Sequence, residues 1–81
     1  MSDDMSNVQR PIQPMSEGIR MALENAGLMD EYRERPPYQR NDYLSWITRA
    51  KRQDTQDRRL AQMLDELRRG DVYMKMAWRP R

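Results

Sequence analysis

Eighty-one residues hold one small domain, because a second core would need roughly 50 more. Leu, Ile and Val total only 11 and Phe is absent, so eight Met, two Trp and four Tyr must supply the rest of a marginal core at a net charge of +2. The absence of Cys and His excludes disulfides, thiolate nucleophiles, imidazole bases and zinc sites built on those ligands.

Met1 to Pro14 shows no helical or strand period, holds two prolines and is mostly polar, which predicts a flexible tail over 1–14. Its acidic start, Met1-Ser2-Asp3-Asp4, does not read as a secretory signal. No apolar run approaches the roughly 18 residues of a membrane span, so a cytoplasmic protein without a membrane span is expected.

A first helix is predicted over about 16–26. Ser16 is placed to cap it, Met15, Ile19, Ala22, Leu23 and Ala26 fall at helical spacing, and Gly27 supplies the stop. Leu28 to Tyr32 reads as a short second helix. It ends before Pro36-Pro37, because Arg35 precedes a proline and is pushed out of helical geometry. A third helix is expected from Tyr38 or Gln39 to Arg52, with Tyr43, Trp46, Ile47 and Ala50 on one stripe that Leu44 widens. A fourth opens at Asp54 or Thr55, where Asp54 and Asp57 imitate a capping box. Leu60, Met63, Leu64 and Leu67 form its stripe, and Gly70 closes it.

These elements predict an all-α domain over 15–70, a small bundle of three to four helices between a flexible N-terminal tail and an extended C-terminal tail. The expected core is Ile19, Leu23, Leu28, Tyr32, Tyr43, Trp46, Ile47, Leu60, Met63, Leu64 and Leu67. In the tail over 71–81, Val72, Met74, Met76 and Trp78 alternate with Tyr73, Lys75, Ala77 and Arg79. That strand-like period has no partner in a helical domain. The tail is therefore left to disorder, to docking across the bundle, or to pairing with another chain. Met74, Met76 and Trp78 are the candidate partner-binding residues, since a Trp and two Met are unusual in an inert tail.

Charge is uneven along the chain: residues 1–31 carry −4 and residues 32–81 carry +6. Thirteen of the fifteen basic residues are Arg, suited to planar pairing with carboxylate or phosphate. Lys51, Thr55 and Arg59 are a candidate anion-binding trio around the positive N-terminus of the fourth helix. The alternative is that Lys51 and Arg59 pair with acids of the first two helices and brace the turn. Asp54 and Asp57, three apart at a helix start, point to capping rather than to paired catalytic acids. No nucleophile or phosphate loop stands beside a base, so a non-enzymatic protein without metal or cofactor is expected. The two helices joined at the corner near Arg49, Arg52, Arg58 and Arg59 also admit a helix-turn-helix nucleic-acid binder. Asp57, Asp65 and Glu66 interrupt that face, so a protein partner is favoured.

The run Tyr43-Leu44-Ser45-Trp46-Ile47-Thr48-Arg49-Ala50-Lys51-Arg52, followed by Asp54-Thr55-Gln56-Asp57-Arg58-Arg59-Leu60, resembles the signature of the YdeI/OmpD-associated, or bacteriocin-protection, family. The similarity runs from about Ile19 to Gly70 and includes Leu23, Gly27 and Tyr32. Asp54 stands where glutamate is usual, and Gln56 where arginine is usual, which removes one positive charge from any anion site there. The resemblance implies an all-helical bacterial module associated with envelope and antimicrobial phenotypes. It implies no particular reaction.

Overall fold

A computed structural model describes residues 13–79. The flexible tail expected over 1–14 lies outside the described residues except for Gln13 and Pro14, as do Pro80 and Arg81. Four helices and one short hairpin follow in chain order: α1 Glu17–Ala26, α2 Met29–Glu34, α3 Pro37–Arg49, α4 Gln53–Arg69, β1 Val72–Tyr73 and β2 Met76–Ala77. The fold is a small helical one, as expected.

Local chemistry sets each boundary. Ser16 Oγ accepts the Ile19 amide at 3.2 Å and starts α1. Gly27 ends it in the left-handed region at φ 71°, where the amides of Gly27 and Leu28 donate back to Glu24 and Leu23 carbonyls. Arg35 is extended, as a residue before proline must be, and Pro37 occupies the first turn of α3 where no amide is needed.

Two expected boundaries shift. Helix α3 stops at Arg49 rather than Arg52, because α4 side chains take up its terminal carbonyls. Arg59 Nη1 donates to the Trp46 carbonyl at 2.6 Å and Gln56 Nε2 to the Ala50 carbonyl at 2.8 Å, which pulls Ala50 into the core at the corner. Helix α4 begins at Gln53, one or two residues early, and its N-cap Arg52 makes no side-chain cap. The expected Asp54/Asp57 capping box therefore does not form. Asp54 falls inside the first turn and pairs with Arg52 at 3.1 Å, while Asp57 accepts from Gln53 at 2.9 Å.

Helix α4 is the axis of the domain and packs against α1, α2, α3 and β1. Ile19, Leu23, Leu28, Tyr32, Tyr43, Ile47, Met63 and Leu67 are buried as expected. Trp46, Leu60 and Leu64 are only half-buried at the rim, whereas Leu44 and Ala50 lie inside. The expected α3 stripe is thus buried except at Trp46, leaning to the Leu44 side, while that of α4 leans to Glu66. The buried line of α4 passes through Met63, Glu66 and Leu67, and that of α3 through Gln39, Tyr43, Leu44 and Ile47.

Of the three outcomes left open for the tail, the structure shows docking on the domain, but not as a single extended segment. Residues 72–77 are no lone extended strand: the chain folds back and pairs with itself, Val72 with Ala77 and Tyr73 with Met76. The Trp78 amide extends the ladder to the Asp71 carbonyl at 2.9 Å. A two-residue turn joins the strands, with Met74 at φ 50° and Lys75 at φ 65°. Such turns usually carry Asn-Gly, since both central residues need positive φ. Here neither is glycine.

Candidate interaction site

What holds that unfavourable turn is a buried carboxylate. Glu66 is 2% exposed, yet its charge is surrounded by donors. Its Oε1 accepts the Tyr43 hydroxyl at 2.5 Å and the Met74 amide at 2.8 Å; its Oε2 accepts Gln62 Nε2 at 3.0 Å and the Lys75 amide at 2.9 Å. One side chain thus satisfies both amides that positive φ turns toward the helix. A buried acid is tolerable only with such a full set of donors. The Tyr43 phenol is pushed well above its ordinary range, first by burial and then by donating to Glu66.

A second buried polar chain ties the α2–α3 connection to the same spot. Arg35 Nη2 donates to the Glu66 carbonyl at 3.0 Å and Nη1 to Gln39 Oε1 at 3.1 Å. Its guanidinium carbon lies over the Trp78 ring, 4.5 Å from the centroid. Tyr73 stands edge-on to Tyr43 at 5.5 Å and to Tyr38 at 6.0 Å, and its hydroxyl donates to Asp42 Oδ2 at 2.6 Å. The hairpin is therefore docked on the domain by Glu66, Arg35 and the tyrosine cluster.

Of the three residues singled out in the tail, Met74 packs half-buried against the core and Trp78 is half-buried beneath Arg35. Only Met76 is open, at 60% exposure. It is the cross-strand partner of Tyr73, and Tyr38 beside that ring is 53% exposed. Tyr38, beside the Tyr73 ring, and Met76, opposite Tyr73 in the hairpin, are thus the exposed apolar side chains near the docked hairpin. Next to it, a groove of about 600 Å³ runs between α3 and the hairpin, lined by Asp42, Ser45, Trp46, Arg49, Tyr73 and Met74 among others.

At the α3–α4 corner the three residues of the candidate anion trio have different surroundings. Lys51 is exposed, and Thr55 is half-buried and receives Arg58 Nη2 at 3.4 Å. Arg59 turns away to the Trp46 carbonyl, its guanidinium 5.2 Å from the centroid of that ring. The carboxylate of Asp54 also lies at this helix start. It is held below its ordinary range chiefly by Arg52, with help from the Thr55 amide. Along α4, Asp54 and Asp65 engage Arg52, Arg58 and Arg69. Among the described residues no three acids gather to hold a metal, and no helix is long and apolar enough to cross a membrane.

Glu66, Arg35 and Gln39 are the residues that sequence reasoning missed. A signal existed for Glu66: it stands between Met63 and Leu67, at a stripe position where an acid is out of place. Gln39 lies one turn before Tyr43 and carried a weaker form of the same signal.

The fold and site define a class: a small all-helical module closed by a hairpin, with an apolar surface at the seam. Within that class, the chain belongs to the family described as Bacteriocin-protection, YdeI or OmpD-Associated (OmdA), whose model matches residues 15–70. No curated protein and no solved structure matches the chain.

Proposed function

We propose that the chain acts as a non-enzymatic binding module of its family, meeting another protein through the surface of Tyr38, Tyr73 and Met76. The observation that supports this reading is the open aromatic–thioether surface itself. Three large apolar side chains are exposed among the described residues, Met21, Tyr38 and Met76, and two of them flank Tyr73. Aromatic and Met side chains on a rigid support are what interface centres are made of. The buried polar chain beneath keeps that support rigid. A role in envelope or antimicrobial stress is the part of this reading that rests on the family description alone.

Weak binding of phosphate-like groups at the corner belongs to the reading as a secondary property. Lys51 and Thr55 are available for it, while Arg59 is engaged with Trp46 and Asp54 competes for the helix start. One capture experiment from bacterial lysate separates the readings. Tyr38→Glu/Met76→Glu should lose the captured protein, and Lys51→Glu/Arg59→Glu should keep it, with circular dichroism confirming that both remain folded. Capture of nucleic acid, lost with the corner variant and kept with the other, would favour the helix-turn-helix alternative and sink the proposal.

A further inference from the structure

We infer that Met74 is a site of reversible oxidation whose sulfoxide releases the C-terminal hairpin from the domain. The inference stands on the geometry of the turn and is independent of the binding reading above.

With no cysteine in the chain, its sulfur chemistry is confined to eight thioethers. Met74 differs from the others in what depends on it. Its backbone sits at φ 50°, a conformation that a side chain with a Cβ disfavours, and Lys75 follows at φ 65°. Two things keep the pair there: the Glu66 carboxylate, which accepts both amides, and the packing of the Met74 side chain against the core beside Tyr73. The same side chain lines the open groove between α3 and the hairpin, so a small oxidant can reach it from solvent.

The chemistry requires a two-electron oxidant of the peroxide class. A sulfur lone pair attacks one peroxide oxygen and forms the S–O bond as the O–O bond breaks. The departing hydroxide takes the proton of the transferred hydroxyl and leaves as water, and the thioether becomes a sulfoxide. A dithiol-dependent sulfoxide reductase returns it, giving thioether, disulfide and water. The product carries a strongly polar oxygen where an apolar chain packed. The hairpin then loses the contact that held the strained turn over Glu66. Met76 on β2 accepts oxygen at least as readily, but its side chain is 60% exposed and already largely in water, so its sulfoxide displaces little packing.

Hydrogen peroxide titration of the full chain tests this, with peptide mass mapping to locate each added oxygen and amide exchange to read the latch. As Met74 gains oxygen, exchange of the Met74 and Lys75 amides should accelerate about tenfold or more, and the reductase should restore protection. Oxygen at Met76 alone should leave both amides protected. Met74→Leu should keep them protected through the same treatment, and Met74→Gln should expose them without oxidant. Three results would overturn the inference. Met74 could stay unoxidised while Met21 and Met76 react, its oxidation could leave both amides unchanged, or Met74→Leu could open as the parent does.

Discussion

Replacing Glu66 with Gln tests the central claim that one carboxylate couples the hairpin to the helices. The change keeps the shape of the side chain but turns one acceptor oxygen into a donating NH2. Each oxygen now serves one hairpin amide, Met74 on Oε1 and Lys75 on Oε2. Whichever way the amide is placed, one backbone N–H therefore faces another donor. Hydrogen bonds to a charged group contribute about 1.5–3 kcal/mol each, and the surviving ones weaken on loss of the charge. Opening of the hairpin limits the penalty, because the amides can then reach water. The expected loss is about 2–3 kcal/mol, a large part of the stability of a domain this size, which is on the order of 5 kcal/mol. Urea unfolding followed by far-UV circular dichroism should show the lower midpoint. Native-state exchange should show the Met74 and Lys75 amides opening about a hundredfold faster. An unchanged midpoint with both amides still protected would refute the assignment of Glu66 as the latch.

Three further outcomes follow from single sites. The Tyr43 phenol is held neutral by burial and by Glu66, and Tyr32 is shifted the same way by burial. Both contributions are complete below the unfolded phenol value of about 10 and fade as pH rises beyond it. The urea midpoint should thus be level from neutral pH to about pH 9 and then fall, less steeply in Tyr43→Phe; a level curve to about pH 12 would contradict this. Gly27→Ala should cost about 1 kcal/mol, because Gly27 sits at φ 71°. Gly18→Ala, inside α1 with open space around it, should add about 0.5–1 kcal/mol, and equal effects in thermal melts would be evidence against that distinction. Arg59→Lys should lower stability by about 1 kcal/mol and alter Trp46 emission, since a lysine cannot keep both the Trp46 carbonyl and the ring face. Unchanged emission would argue that the contact is idle.

Much of the fold was legible because its punctuation is strong. Ser16, Gly27, Pro36-Pro37 and Gly70 each impose a backbone geometry that few alternatives satisfy, so the helices and their order could be read directly. Their rotation could not. Helical periodicity names a stripe but cannot tell which edge of it is covered, and here the hairpin covers the Glu66 side of α4. That cover moved the core toward Met63 and Leu67 and left Leu60 and Leu64 at the rim. The hairpin was illegible for a related reason. Met74-Lys75 lacks every usual turn residue, and its conformation is held by a partner eight and nine positions back in the chain. At the corner, residue types suggested an anion-binding trio and carried no sign that the orphan carbonyl of Trp46 would engage Arg59.

The latch also makes the closed domain depend on residues beyond the segment that matches the family. The segment that matches the family ends at Gly70, yet a carboxylate inside it receives two of its donors from residues 74 and 75. Without those two donors, α3 and α4 can meet only with Glu66 still drawing water into their seam. Closure then needs nothing from afar, because the hairpin must reach back only eight or nine residues, a step on the order of microseconds. A few residues past the last helix thus complete the donor shell of a carboxylate that the four helices alone leave two donors short.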